Sequence, residues 1–167
     1  NLYPDFIGNN PTLQTMIYVT YSLLNNFIPY SEMDYIRDMP EMAQSLREIA
    51  FINVNKMPAF RRSNDNEIYV KYQYWKPILH WQLKKYSPEI IIFGNTFSHF
   101  YEDLDLSEQM KKQGDCIDYF IKDKRLLISS YHPAQTQIIR DRYVQGIIDV
   151  VKENVKFIQA SDIISQK

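Results

Sequence analysis

The sequence is poor in cysteine and in glycine. Its 167 residues contain a single cysteine, Cys116, which excludes a disulfide framework and a multi-cysteine metal or iron–sulfur site supplied by this chain. This usage is typical of an intracellular, cytoplasmic protein. Glycine occurs 4 times, which argues against a glycine-rich phosphate-binding loop. We therefore predict that the chain holds no metal and no cofactor.

The chain also has little net charge and no long apolar run. The formal net charge of −1 provides no global attraction to nucleic acid, so any such binding requires a local basic patch. No apolar stretch approaches the roughly 20 residues of a membrane helix, and no signal peptide is visible. We therefore predict no membrane partner. The chain opens on Asn1 rather than on methionine, and we treat residues 1–167 as a single domain that either is whole or lacks an N-terminal segment.

What the sequence does contain is apolar material in alternating helical and extended patterns. Hydrophobic residues make up 45% of the chain, enough for one core. Helical spacing covers residues 12–27, 40–47, 67–86 and 134–158. Buried strands are predicted at 49–54 and 90–94, and a hairpin is predicted from 116–121 and 125–129. This order predicts an α/β fold, a three-layer αβα arrangement with a central, mostly parallel, four-stranded sheet.

Polar residues follow three of the predicted strand ends. They are Asn10 in Gly8-Asn9-Asn10-Pro11, which follows a short apolar piece at residues 5–7, Asn53 at the end of the strand at 49–54, and His132 after the apolar run at 126–128. Ligands of open α/β sheets bind at the carboxyl ends of the strands. We therefore expect these three side chains to converge on one site.

His132 stands in the clearest of these positions. In Tyr131-His132-Pro133-Ala134 the proline disfavours a helical residue before it and presets the angle φ of a first helical residue after it. The pattern predicts a strand-to-helix corner at His132. A histidine in an ordinary loop is an equally good interpretation of this stretch alone. His80, on the helix predicted at 67–86, is interpreted as structural.

Two stretches resemble motifs of the uracil-DNA glycosylase superfamily. Asn53-Val54-Asn55-Lys56-Met57-Pro58 resembles the strand end that reads N-V-x-K-x-x-P in some branches, and His132-Pro133-Ala134 resembles the closing motif H-P-[SA]. The two stretches occur in the family's order, and the resemblance covers residues 49–145. It implies a uracil-DNA glycosylase-like fold and an enzyme that hydrolyses the N-glycosidic bond of uracil or a related damaged base.

The resemblance implies a role for each of the two residues. His132 would donate a hydrogen bond to the O2 atom of uracil, where negative charge gathers as the base departs, and one such donor contributes roughly 3 kcal/mol. Asn53 would accept from N3–H and donate to O4 of uracil, a pattern that cytosine does not match. Alternatively, Asn53 caps a loop backbone.

The family's first motif provides the group that positions water, and some branches use G-x-N-P-G there. Gly8-Asn9-Asn10-Pro11-Thr12 is similar, with Thr12 in place of the last glycine. By this match Asn10 would orient the attacking water. Two alternatives stay open: the stretch is only a turn, or the motif lies upstream of Asn1.

The partner that the resemblance implies is DNA carrying a flipped base. The basic residues that flank the two motifs and could contact phosphate are Lys56, Arg61, Arg62, Arg140 and Arg142; a solvated surface is the alternative for each. The leading hypothesis is a DNA glycosylase. The second is a catalytically weak or inactive member that binds a nucleobase or nucleic acid, or serves as an interaction module. A third, an unrelated α/β hydrolase, lacks the G-x-S-x-G motif.

Overall fold

The computed structural model describes residue 7 and residues 9–57, 64–106, 111–113 and 117–164, with the backbone alone for 111–113 and 156–164. Five α-helices or strands precede the hairpin: α1 (Pro11–Leu24), α2 (Asp65–Tyr86), β1 (Ile90–Gly94), α3 (Phe97–Phe100) and β2 (Lys111–Gln113). They are followed by β3 (Ile117–Lys122), β4 (Arg125–Ser130) and α4 (Arg140–Ile164). Short 3-10 helices lie at Tyr30–Glu32 and Pro40–Glu48.

Each of the first two α-helices is preceded by an asparagine whose side chain caps it. Asn10 accepts a hydrogen bond from the Leu13 amide at 3.2 Å, and Pro11 occupies the first helical position of α1. At α2, Asn64 and Glu67 exchange the reciprocal bonds of a capping box, which satisfies amides that the helix itself leaves unpaired. Helix α1 therefore begins one residue before the predicted start at 12, with Asn10 as its cap.

The sheet is mixed, with strand order β1-β4-β3-β2. Only β1 and β4 are parallel, from Ile90 opposite Leu126 to Gly94 opposite Ser130. The β3–β4 and β2–β3 pairs are antiparallel, and β2 is a three-residue edge strand. The prediction of a central, mostly parallel four-stranded sheet is therefore wrong, because the sheet is mixed. The strand predicted at 49–54 is absent from it, and the predicted hairpin of β3 and β4 is antiparallel by construction.

The hairpin turn is formed by Asp123 and Lys124, which have φ angles of 48° and 63°. Positive φ at both central residues is characteristic of the turn whose twist matches that of two paired strands. The predicted hairpin thus occurs, although Cys116, its predicted first residue, lies outside the described residues.

The strand predicted at 49–54 does not form. This segment is irregular, with Phe51 57% exposed and Ile49 37% exposed. Val54 alone of the segment is buried, at 9% exposure. A short apolar run does not by itself distinguish a buried strand from a loop that inserts one or two side chains into a core, and here the loop prevails.

Helices pack on both faces of the sheet and enclose two clusters of buried side chains. On one face, α1, α4 and the 3-10 helix at Pro40–Glu48 cover Leu126 and Ile128 of β4. On the other face, α2 and α3 cover Leu127 and Phe93. Successive residues of β4 enter opposite clusters because side chains alternate along a strand. This places β4 at the centre of the molecule and its carboxyl end between the two helical layers.

Candidate functional site

The parallel strands β1 and β4 end side by side, and hydrogen bonds join their ends. The Asn95 amide donates to the Ser130 carbonyl at 2.8 Å. The Ser130 hydroxyl, which is buried, donates back to the Phe93 carbonyl at 3.2 Å. The segment that follows, Tyr131-His132-Pro133, therefore leaves the sheet from a fixed position.

Gly94 allows this segment to approach β1 closely. A Cβ atom at residue 94 would lie 2.9 Å from Cδ of Pro133 and 3.8 Å from Cα of His132. Contacts under 3.0 Å are essentially absent for real side chains, so only glycine fits without displacement. We call the region formed by the ends of β1 and β4 and by residues 131–134 the His132 corner.

A backbone amide of the corner selects one tautomer of the neutral His132 ring. Its Nδ1 atom accepts a hydrogen bond from the Ala134 amide at 3.1 Å. A nitrogen that accepts carries no proton, so in the neutral ring the proton is on Nε2. Partial burial lowers the pKa of His132, because withdrawal from water disfavours the charged form. The residue is exposed, so the corner presents a neutral imidazole whose Nε2–H can donate to a ligand.

Tyr143 supports the corner from helix α4. Its side chain is 1% exposed, and its hydroxyl donates to the Tyr131 carbonyl at 2.5 Å and lies 3.1 Å from the Ser130 hydroxyl. The Tyr131 carbonyl belongs to the peptide that leads into His132. A buried tyrosine in α4 thus fixes the backbone at the point where the histidine is presented.

The beginning of α1 lies against the same corner. The Thr15 hydroxyl, which is buried, donates to the Pro133 carbonyl at 2.9 Å. Asn10 precedes Thr15 by little more than one helical turn, about 7.5 Å along the axis. Its side-chain oxygen accepts from the Leu13 amide as the helix cap. Asn10 therefore lies at the end of α1 that contacts the His132 corner, and its side-chain oxygen already accepts from the Leu13 amide.

Asn53 lies on the irregular segment and is exposed. The next residue, Val54, enters the same buried cluster as Phe93, the neighbour of Gly94. Asn55 accepts from the Met57 amide at 3.1 Å in a local turn. The loop is therefore fastened on the α2 side of the sheet, and Asn53 is presented by a loop rather than by a strand end as expected.

The predicted DNA-binding residues differ in how exposed they are. Lys56 is partly buried, and burial lowers its pKa. Arg140 begins α4 and is exposed, with a side-chain hydrogen bond to the Tyr30 hydroxyl. Arg142, two residues further along α4, is also exposed. Arg61 and Arg62 lie outside the described residues.

A second polar cluster lies between α2 and the turn after α3, away from the corner. Asp103 accepts hydrogen bonds from Lys76 and from Tyr72, and His80 Nε2 lies 3.1 Å from the Tyr72 hydroxyl. Burial acts to raise the pKa of Asp103, but the two hydrogen bonds outweigh it, and this pKa lies below its ordinary value. The groups satisfy one another, which agrees with a structural role for His80.

Sequence reasoning missed Gly94, Thr15, Ser130 and Tyr143. Gly94 had a signal, since it ends an apolar run in a chain with 4 glycines. Tyr143 had no such signal, because nothing in the sequence distinguishes it from the other 12 of the chain's 13 tyrosines. Within the described part of the chain, no group of three or more His, Cys, Asp or Glu side chains is arranged to hold a metal ion. Among the same residues, no helix is long and apolar enough to cross a membrane.

Comparisons with protein-family models, with curated proteins and with solved structures give no match to this chain. The assignment of a function therefore depends on the chemistry of the His132 corner and on the motifs that surround it.

Proposed function

We propose that this chain is a DNA glycosylase-like enzyme that hydrolyses the N-glycosidic bond of uracil or a related damaged base in DNA. The observation that carries the proposal is the hydrogen bond from the Ala134 amide to Nδ1 of the exposed His132, which leaves Nε2–H of the neutral ring available as a donor. The resemblance of residues 53–58 and 131–134 to uracil-DNA glycosylase motifs supports the same reaction.

The chemistry requires a donor of this kind. When the bond between sugar and base breaks, the base leaves as an anion, and its charge concentrates on a carbonyl oxygen. A fixed neutral donor gains strength as that charge develops, which lowers the barrier more than it strengthens substrate binding. Because Nδ1 accepts from the Ala134 amide, the neutral ring carries its proton on Nε2 and can donate that hydrogen bond to the anion.

Water must attack the sugar from the side opposite the departing base, and Asn10 is our proposal for the residue that orients it. The Thr15–Pro133 hydrogen bond keeps the start of α1 beside the corner. The side-chain oxygen of Asn10 caps α1, so in this proposal Asn10 acts on water through its amide group, which donates, while Asn53 reads the base from its loop.

A second function is favoured by two specific observations. Asn53 is on an exposed loop, and the Asn10 oxygen is engaged as a cap. Both observations fit a nucleobase-binding or nucleic-acid-binding module that retains the His132 corner but hydrolyses the N-glycosidic bond slowly or not at all.

One experiment separates the two functions. The chain is incubated with single- and double-stranded oligonucleotides that contain one uracil, abasic sites are cleaved with alkali, and the fragments are counted. Cleavage that is lost in His132→Ala but kept in His80→Ala, a histidine outside the corner, supports the enzyme. Binding of the oligonucleotides without cleavage by the unaltered chain supports the binding module, and absence of both contradicts both.

A further inference from the structure

Helix α2 carries apolar side chains on two opposite sides. Its inner side places Tyr72 and Leu79, which are 0% and 1% exposed, in the core. Its outer side exposes Val70 at 63%, Tyr74 at 73% and Trp81 at 58%. A helix that is apolar on both sides is typical of one that is also covered on its outer side.

The exposed residues form a narrow seam along α2. Val70, Tyr74, Pro77 and Trp81 are all exposed, and they follow one another at intervals of four, three and four residues. This is the spacing with which one helix packs against another in a coiled coil. The seam spans about 18 Å of helix. Its spacing therefore indicates a helical occupant.

The seam is complementary to itself. When two copies of α2 lie antiparallel about a two-fold axis between Trp75 and Lys76, Val70 faces Trp81 and Tyr74 faces Pro77. The same arrangement places Glu67, exposed in the first turn, opposite Lys84, exposed in the last turn. A symmetric dimer requires each patch to match itself in this way. Here apolar positions meet apolar ones and an acid meets a base at both ends.

We infer that α2 is a dimer contact, in which two copies of this chain pack antiparallel through the seam of Val70, Tyr74, Pro77 and Trp81. Glu67 of each copy pairs with Lys84 of the partner subunit. This inference is independent of the proposed glycosylase activity, because the His132 corner shares no residue with the seam. A single helix face buries less than the ~800 Å² per partner of stable complexes, so the dimer forms in the micromolar range rather than the nanomolar range.

The first test measures the mass of the full chain by sedimentation equilibrium from about 1 to about 200 µM. We expect a monomer–dimer equilibrium. In Trp81→Glu, the new carboxylate enters the seam, and we expect the dissociation constant to rise at least tenfold. Ile139→Glu is the matched control, since Ile139 is 72% exposed but lies outside α2; it should leave the dissociation constant unchanged. A monomer throughout this range, or equal effects of the two variants, overturns the inference.

The second test exchanges the charges at the ends of the seam. Lys84→Glu places like charges opposite each other at both ends, and we expect it to weaken the dimer several-fold, as should Glu67→Lys. The double variant Glu67→Lys, Lys84→Glu restores opposite charges and should recover the dimer. Lys152→Glu, an exposed lysine on α4, controls for net charge. Failure of the double variant to recover dimerisation beyond the two single variants contradicts the antiparallel pairing.

Discussion

The Nδ1 atom of His132 accepts from the backbone of Ala134, and this contact determines how the site should respond to pH. Burial lowers the pKa of the ring below its ordinary value of about 6.5. The neutral form therefore persists to lower pH than in a free histidine. We expect the single-turnover rate of base release to fall on acidification with a midpoint below about pH 6.5. A rate that rises on acidification would indicate that the charged ring is the active form.

Removal of the imidazole tests the same residue directly. In His132→Ala we expect base release to slow by about a hundredfold or more, because one donor to a developing anion contributes roughly 3 kcal/mol. The dissociation constant for uracil-containing DNA, measured by fluorescence anisotropy, should change little. A large loss of affinity with an unchanged rate constant would assign His132 to binding rather than to catalysis.

Tyr143 acts on the corner without reaching a ligand, and Tyr143→Phe removes only its hydroxyl. The carbonyl of Tyr131 then loses the nearer of its donors and keeps the longer bond from the Ser130 hydroxyl, at 3.3 Å. The peptide before His132 loosens, and we expect the rate to fall about tenfold at unchanged DNA affinity, corresponding to roughly 1.4 kcal/mol. Tyr18→Phe is the matched control, since Tyr18 is also buried and its hydroxyl accepts from the Ile36 amide, which is not part of the His132 corner. Equal losses of rate in both variants would make the effect one of general stability.

At the scale of elements, α2 and the turn after α3 are joined through Asp103. Hydrogen bonds from Lys76 and Tyr72 keep the pKa of Asp103 low in the folded protein. A lowered pKa means that the contribution to stability is present above the unfolded value, about 3.9, and is lost as pH falls through the lower folded value. Asp103→Asn should therefore reduce the free energy of unfolding by about 1–3 kcal/mol at neutral pH and flatten its acid dependence below about pH 4.

Chemical denaturation over a range of pH measures this effect. Asp38→Asn is the control, because Asp38 pairs with Arg37 at 3.4 Å on the surface, where the two side chains are 59% and 79% exposed. An exposed pair of this kind contributes less than about 1 kcal/mol. A loss in Asp103→Asn no greater than in Asp38→Asn would show that the cluster does not hold α2.

The elements differ in how far the sequence determines them. Strand β1 was predicted with its observed bounds because it is an uninterrupted apolar run, and α2, predicted from 67, begins at Asp65 and ends as predicted at Tyr86, just before Ser87-Pro88. The prediction of a strand at 49–54 was wrong. Phe51 and Val54 lie in the same largely apolar stretch, but the tertiary structure exposes Phe51 and buries Val54. The mostly parallel sheet was wrong because the strand at 49–54 does not form, whereas the predicted hairpin turn at Asp123 and Lys124 makes β3 and β4 antiparallel.

The same limit applies to the site. His132 was predicted from its proline and from the strand before it, both of which are local signals. Thr15 and Pro133 are 118 residues apart, and Tyr143 bonds to Tyr131 across a turn of irregular backbone. No periodicity or motif reports such contacts, so the residues that support His132 become visible only in the fold.

At the scale of the whole molecule, a net charge of −1 means that DNA binding must depend on a few cations. With Lys56, Arg61, Arg62 and Arg140 as four phosphate contacts, we expect the logarithm of the association constant to fall against the logarithm of salt concentration with a slope of about −3 to −4. Lys56→Ala should reduce the magnitude of that slope by about 1. Anisotropy titrations across salt concentrations measure both, and a slope near zero would exclude this set of contacts.

The pairing of strand β4 has a consequence for the order in which the chain folds. Its contact with β3 closes a two-residue turn, an event of microseconds, whereas its contact with β1 must close a long loop first. The His132 corner needs β1, β4, the start of α1 and Tyr143 of α4 together. We therefore expect the corner to be among the last parts of the molecule to assemble, after the hairpin of β3 and β4 has formed.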